Sequence, residues 1–193
     1  MSPALSTTTT AALARAHHSA EAVVQTILAI ADSLEQGRRI DTSLLTEVVF
    51  FLRTFSDKCQ TAEEDALLFP AIEAKCMPPG SRLIENLRND HQNLVALTSE
   101  LSEAVDEYAA ANNSGKEHLA IALRSLAKLY SEHLRNEDYA VLPLAEKVLS
   151  SKELTTLFQA FQEIESEIGL DEVATKISLR AQRCQCHMGE VFI

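Results

Sequence analysis

Apolar positions in this chain recur every three or four residues along four long stretches. In the first, Val24, Ile27, Ala31 and Leu34 fall on one side of a helix, and in the third Leu87, Leu94, Leu101 and Val105 do the same. The second stretch runs from about Thr42 to Lys75 and the fourth from about Lys116 to Leu149. The interruptions coincide with Gly37, Gly80, Gly115, Gly169 and Gly189, most plainly in "MPPG" at 77–80 and "NNSG" at 112–115. Helices of about 25 to 35 residues joined by short loops pack most simply as an antiparallel four-helix bundle. The pattern therefore predicts an all-α fold, with the bundle over residues 11–150. Residues 151–183, containing "LFQAFQEIESEIG" and a last helix from about Asp171 to Arg183, are expected to form a helical appendage. Residues 184–193 read as a Cys/His-containing tail and residues 1–10 as a disordered N-terminus.

Composition agrees with helices. Glycine and proline number five each, aromatic residues make up 5% and tryptophan is absent, while Ala, Leu and Glu abound. The formal net charge of −11 argues against nucleic acid or an anionic membrane as partner, since both would repel it, and makes cations the natural guests. The opening residues lack a basic-then-apolar signal pattern, and no apolar run approaches the roughly 18 residues of a bilayer span. A cytoplasmic protein is expected, with Cys59, Cys76, Cys184 and Cys186 as thiols rather than disulfides.

An internal repeat adds candidate chemistry. Shifted by 73 residues, "QTAEEDALLFPAIE" lies on "HLRNEDYAVLPLAE" without a gap, placing Glu64 on Glu137, Asp65 on Asp138, Pro70 on Pro143 and Gln60 on His133. A shift of 74 places His17 on His91. The two halves read as copies of one helical hairpin. His133 and Glu137, four apart, leave the same helix face one turn from each other. A lone His-x-x-x-Glu is weak evidence, but the repeat puts Glu64 at the matching place, and each half adds a histidine near the start of its first helix. His17 precedes Ala20, Val24 and Ile27 on the inward face, and His91 precedes Leu94, Val95, Thr98 and Leu101. The candidate metal ligands are thus His17, Glu64, His91, His133 and Glu137. Imidazole with carboxylate suits iron, manganese or zinc, and bridging carboxylates favour two metals held close together. Left unpaired in a core, the same groups would each cost several kcal/mol.

Taken together, "ARAHHSAEAVV", "FLRTFSDKCQTAEEDALLFPAIE", "LRNDHQNLVAL" and "LYSEHLRNEDYAVLPLAE" resemble the hemerythrin-like, or HHE cation-binding, domains over about residues 12 to 149. The resemblance implies a four-helix bundle around a non-haem di-iron site that binds dioxygen, peroxide or nitric oxide, or senses oxygen or iron. The five candidate residues match the family's ligands by position. Gln60 departs, standing where the family's second-helix histidine belongs. Its amide oxygen is a weaker donor than imidazole. Three outcomes follow: an asymmetric two-metal site, the reading preferred here; one unused metal position; or Glu63 acting as a substitute. Such a site suits small-molecule binding or oxidative chemistry, and the functional expectation is a diatomic- or peroxide-binding metalloprotein. The alternatives are an oxidase, oxygenase or peroxide-decomposing enzyme acting on a small substrate, and a sensing or structural bundle with a vestigial site.

Several neighbours compete for roles. His18 is an alternative to His17, and Asp138, five after His133, to Glu137. Tyr130 and Tyr139 are candidates for hydrogen-bonding near the site, and Cys59 for a core thiol. In the tail, Cys184, Cys186 and His187 could bind a soft metal or act as a redox pair, against a plain extension that docks Val191, Phe192 and Ile193 on the bundle or on the partner in a homodimer.

Overall fold

The structure is a computed structural model that describes residues 9–76, 82–110, 115–165 and 170–186. Four rods form the bundle. The first is α1, Thr9–Glu35. The second is continuous through α2 (Thr42–Phe55), a π-helical stretch (Ser56–Leu68) and α3 (Phe69–Cys76). The third is α4, Arg82–Ala110. The fourth joins α5 (Lys116–Asn136), a second π-helical stretch (Glu137–Val141) and α6 (Leu142–Val148). Two further helices follow, α7 (Ser151–Glu165) and α8 (Leu170–Cys186). The expected all-α bundle with added C-terminal helices is what the chain adopts.

Local chemistry sets the rod ends. Gly37, at φ 79°, closes α1: its N–H donates to the Leu34 carbonyl at 2.9 Å and the Arg38 N–H to Ser33 at 3.0 Å, the paired bonds of a left-handed glycine cap. Asp41 caps α2, accepting from the Ser43 N–H at 3.0 Å. Gly115, at φ 81°, precedes α5 rather than ending a helix. Gly80, Gly169 and Gly189 lie outside the described residues.

Cross-contacts show the antiparallel order. Between the first and fourth rods, His17 meets Asp138 while Glu35 meets Arg124; between α4 and α5, Asp90 lies by His133 while Glu107 meets His118. The Ile40 N–H donates to the buried Tyr108 hydroxyl at 2.9 Å, tying the start of the second rod to the end of α4. The second and fourth rods are diagonal partners running the same way. Helix α8 lies against α1 and α2, and α7 against α1 and the first π-helical stretch.

The interior is divided into two apolar clusters. One, which includes Val24, Ile27, Leu52, Phe55, Leu94, Leu101 and Leu123, fills most of the bundle and takes in Ala174 and Ile177 of α8. The other, which includes Leu13, Leu68, Phe69, Leu87, Val141 and Phe161, fills the far end under α7. Each rod passes from one cluster to the other through polar residues: His17 on α1, Gln60 to Glu64 on the second rod, His91 on α4, His133 to Glu137 on the fourth. The candidate ligands thus share one buried layer between two hydrophobic plugs.

Helix α8 continues past the expected Arg183 through Cys186. The side chains of Cys76, Cys184 and Cys186, all of His187, the C-terminal apolar residues and the first eight residues lie outside what the structure describes.

Candidate metal centre

In the polar layer, Glu64 and Glu137 approach each other from diagonal rods and histidines close the sides. One ligand atom from each of Glu64, His91, His133 and Glu137 lies within 4.8 Å of the others, and all four residues are buried. The two oxygens of each glutamate face different neighbours. Glu64 turns Oε1 to His17 Nε2 and Oε2 to His91 Nε2, both at 3.2 Å. Glu137 turns Oε2 to His17 Nε2 at 3.5 Å, and Oε1 to His91 Nε2 at 3.6 Å and His133 Nε2 at 3.1 Å. Each carboxylate therefore spans two adjacent places, one beside His17 and one beside His91 and His133.

Two of the histidines are held from behind. His17 Nδ1 contacts Asp138 Oδ1 at 2.7 Å and His91 Nδ1 contacts Asp65 Oδ2 at 3.0 Å, whereas His133 Nδ1 lies 3.6 Å from Asp90 Oδ2 and has no hydrogen-bond partner among the described residues. An aspartate on Nδ1 fixes ring orientation and leaves Nε2 as the inward donor, the outer support that metal-binding histidines use. The repeat is visible in space. Glu64–Asp65 and Glu137–Asp138 are equivalent pairs, each sending its glutamate to the centre and its aspartate to the first-helix histidine of the other half. Both pairs lie in π-helical stretches, where wider turns recur at functional sites. Arg88 extends the support on one side: it pairs with Glu73 through two nitrogens, at 2.8 and 3.2 Å, lies 3.8 Å from Asp65 Oδ1, and sits over the Phe69 ring that stacks on His91.

Charge follows from this packing. Burial opposes a proton on His17, but Asp138, Glu64 and the charge of Glu137 outweigh it and raise its pKa to about 10. His91, likewise opposed by burial, is raised to about 11 by Asp65, Glu137 and Glu64. Burial pushes Glu64 upward, yet the two imidazoles win and hold its carboxyl well below the usual range.

Of the competing residues, His17 is buried and His18 exposed. Glu137 occupies the centre, and Asp138 stands outside it against His17. Glu63 is fully buried. Tyr130 is buried in the core, whereas Tyr139 is 81% exposed. Cys59 is a buried thiol outside any disulfide. Gln60 is fully buried, and neither its amide oxygen nor its nitrogen has a hydrogen-bond partner among the described residues. A pocket of about 420 Å³ reaches the layer at His17, walled by His18, Glu21, Arg135, Asp138 and Tyr139. Sequence reasoning missed the supporting roles of Asp65 and Arg88. The repeat, which set Asp65 on Asp138, carried the signal for the first; the second depends on a neighbouring rod.

The model of the hemerythrin HHE cation-binding domain matches residues 8–145. The chain belongs to this family. No curated protein and no solved structure matches it. The matched span stops within α6, so α7 and α8 lie beyond it. The buried donors suit the cation that the domain's description implies. Glu64 Oε2, both Glu137 oxygens, and Nε2 of His91 and of His133 are inaccessible and make no hydrogen bond of acceptable geometry, although they lie 3.1 to 3.6 Å apart. They converge on shared points rather than bonding one another, and buried polar atoms in that state call for a guest.

Proposed function

We propose that this hemerythrin-family chain holds two metal ions side by side between Glu64 and Glu137, iron foremost, and binds dioxygen, peroxide or nitric oxide at an asymmetric centre. The observation that supports this reading is the splitting of each glutamate's oxygens between two places. His91 and His133 would serve one, with Glu64 Oε2 and Glu137 Oε1. His17 would serve the other, with Glu64 Oε1 and Glu137 Oε2. The repeat puts Gln60 where the second imidazole of the His17 place would be, and an amide is the weaker donor, so that place is the more labile. Manganese and zinc suit the same donor types, and family membership favours iron. Iron there would supply electrons and open coordination positions to a small ligand. The protein's part is to hold the His17 and His91 rings through Asp138 and Asp65, to span the two places with carboxylates, and to exclude bulk water with the apolar cluster on either side.

An enzymatic reading, oxidation of a small substrate or breakdown of peroxide, is favoured by the pocket against His17, whose volume of about 420 Å³ would admit a small organic molecule beside the more labile place.

Elemental analysis of full-length protein purified without a metal-binding tag, with its absorption spectrum under air, tests the proposal. Roughly two irons per chain with an oxo-bridge band are expected. A single metal that becomes a pair in Gln60→His would mean that glutamine leaves one place unused. Negligible metal in both proteins would overturn the proposal and leave a sensing or structural bundle.

A further inference from the structure

One to two turns from the carboxylates, on the Gln60 side, the bundle buries a second group of polar atoms. The second and fourth rods are parallel diagonals, and two contacts set their register. Glu64 and Glu137 meet the same histidines, and Phe55 meets Tyr130 edge to face with ring centroids 6.3 Å apart. Ser56 and Gln60, four apart, precede Glu64 on the second rod; Tyr130, three before His133, shares that residue's face on the fourth. The register therefore brings Ser56 and Tyr130 to one level, with Gln60 one turn nearer the carboxylates on the same face as Ser56. Ser56 is 4% exposed and the other two are fully buried. The Ser56 hydroxyl, the Tyr130 hydroxyl and both amide atoms of Gln60 have no hydrogen-bond partner among the described residues.

Packing alone does not account for them. Phenylalanine would fill the Tyr130 site against Phe55 without burying a hydroxyl, and leucine would fill that of Gln60. Buried polar groups without partners are costly, and several in one stretch of the core imply something that hydrogen bonds to them. Burial, with Cys59 and the charges of Glu137 and Glu64, raises the Tyr130 pKa, so its hydroxyl keeps its proton and is a donor. The amide and the Ser56 hydroxyl add further donors, and the group as a whole suits a guest rich in lone pairs.

We propose that Ser56, Gln60 and Tyr130 form a polar subsite that takes the outer end of a small hydrogen-bond-accepting molecule, of the size of peroxide or azide, with the Tyr130 hydroxyl as its donor. This rests on the reading of the adjacent layer as a metal centre, which would hold the molecule's other end. Tyr130 is then a positioning residue that selects polar over apolar small ligands.

The test compares iron-loaded full-length protein with its Tyr130→Phe variant, using azide as the probe. Azide should bind about tenfold more weakly to the variant at equal iron content, as for one lost hydrogen bond to a charged ligand. The infrared stretch of the bound azide should shift. The metal-free variant should melt no lower than metal-free wild type, since it loses a hydroxyl without a partner and keeps the ring packing. Ser56→Ala, expected to weaken azide several-fold, stands in if the phenylalanine variant fails to fold. Unchanged affinity with an unshifted band at full iron content would overturn the subsite and leave the metal reading intact. Absence of iron from the wild type would overturn both.

Discussion

His17 and His91 engage partners through both ring nitrogens, and this makes the metal-free state depend on pH. Among buried glutamates and backing aspartates, His17 and His91 keep protons at neutral pH, with pKa values of about 10 and 11 against 6.5 for the unperturbed ring. A folded-state pKa above the unfolded one contributes stability that is fully present below about pH 6.5 and is lost as pH rises through the folded values. Urea midpoints of metal-free protein should therefore be highest below about pH 6.5, fall progressively as pH rises from there, and level off above about pH 11. A flat profile over that range would mean that the two imidazoles are neutral in the folded protein. Metal and proton compete for the same Nε2 atoms, so loading should release protons near neutral pH. Calorimetry in buffers of different ionisation enthalpy would count them.

Among the helices, the two π-helical stretches carry the division of labour. Residues adjacent in sequence do different jobs there: Glu64 and Glu137 face the centre, while Asp65 and Asp138 reach a histidine on another rod. The supporting aspartates can thus be altered without touching the glutamates. Asp138→Asn keeps the shape and removes the charge on His17 Nδ1, and because Asp138 is partly exposed the fold should tolerate it. Metal stoichiometry should persist while affinity, measured against a competing chelator, falls by about 10- to 100-fold, the usual cost of losing such support. Affinity equal to wild type would show that Asp138 orients nothing. The same change at Asp65 should be the milder, since Arg88 already draws on that carboxylate.

For the bundle as a whole, the polar layer is tolerable because apolar clusters close it on both sides, and α8 completes the larger one. Ile177 is fully buried in that cluster, against the face shared by α1 and α2. Ile177→Ala should cost about 2 to 4 kcal/mol in urea unfolding, the range for truncating a buried aliphatic side chain. Metal content should not change, because Ile177 lies outside the layer. Loss of metal together with stability would instead mean that α8 helps to position the ligands. Among the described residues no helix is long and apolar enough to cross a membrane.

Much of this was legible in the chain. Helical periodicity and glycine punctuation marked the rods, because a buried helix face must be apolar every three or four residues whatever it packs against. The ungapped repeat brought Glu64, Glu137, His133 and Gln60 into correspondence, since equivalent places in two hairpins occupy equivalent places in a bundle. Assembly settled other points. That Asp65 and Asp138 each reach a histidine on another rod, and that Arg88 sits over the Phe69 ring of the second rod, depend on how the helices rotate against one another. The wider turns of the π-helical stretches change that rotation by amounts that a fixed helical period cannot anticipate. Periodicity says which residues share a face; only packed neighbours decide which atom of each meets which.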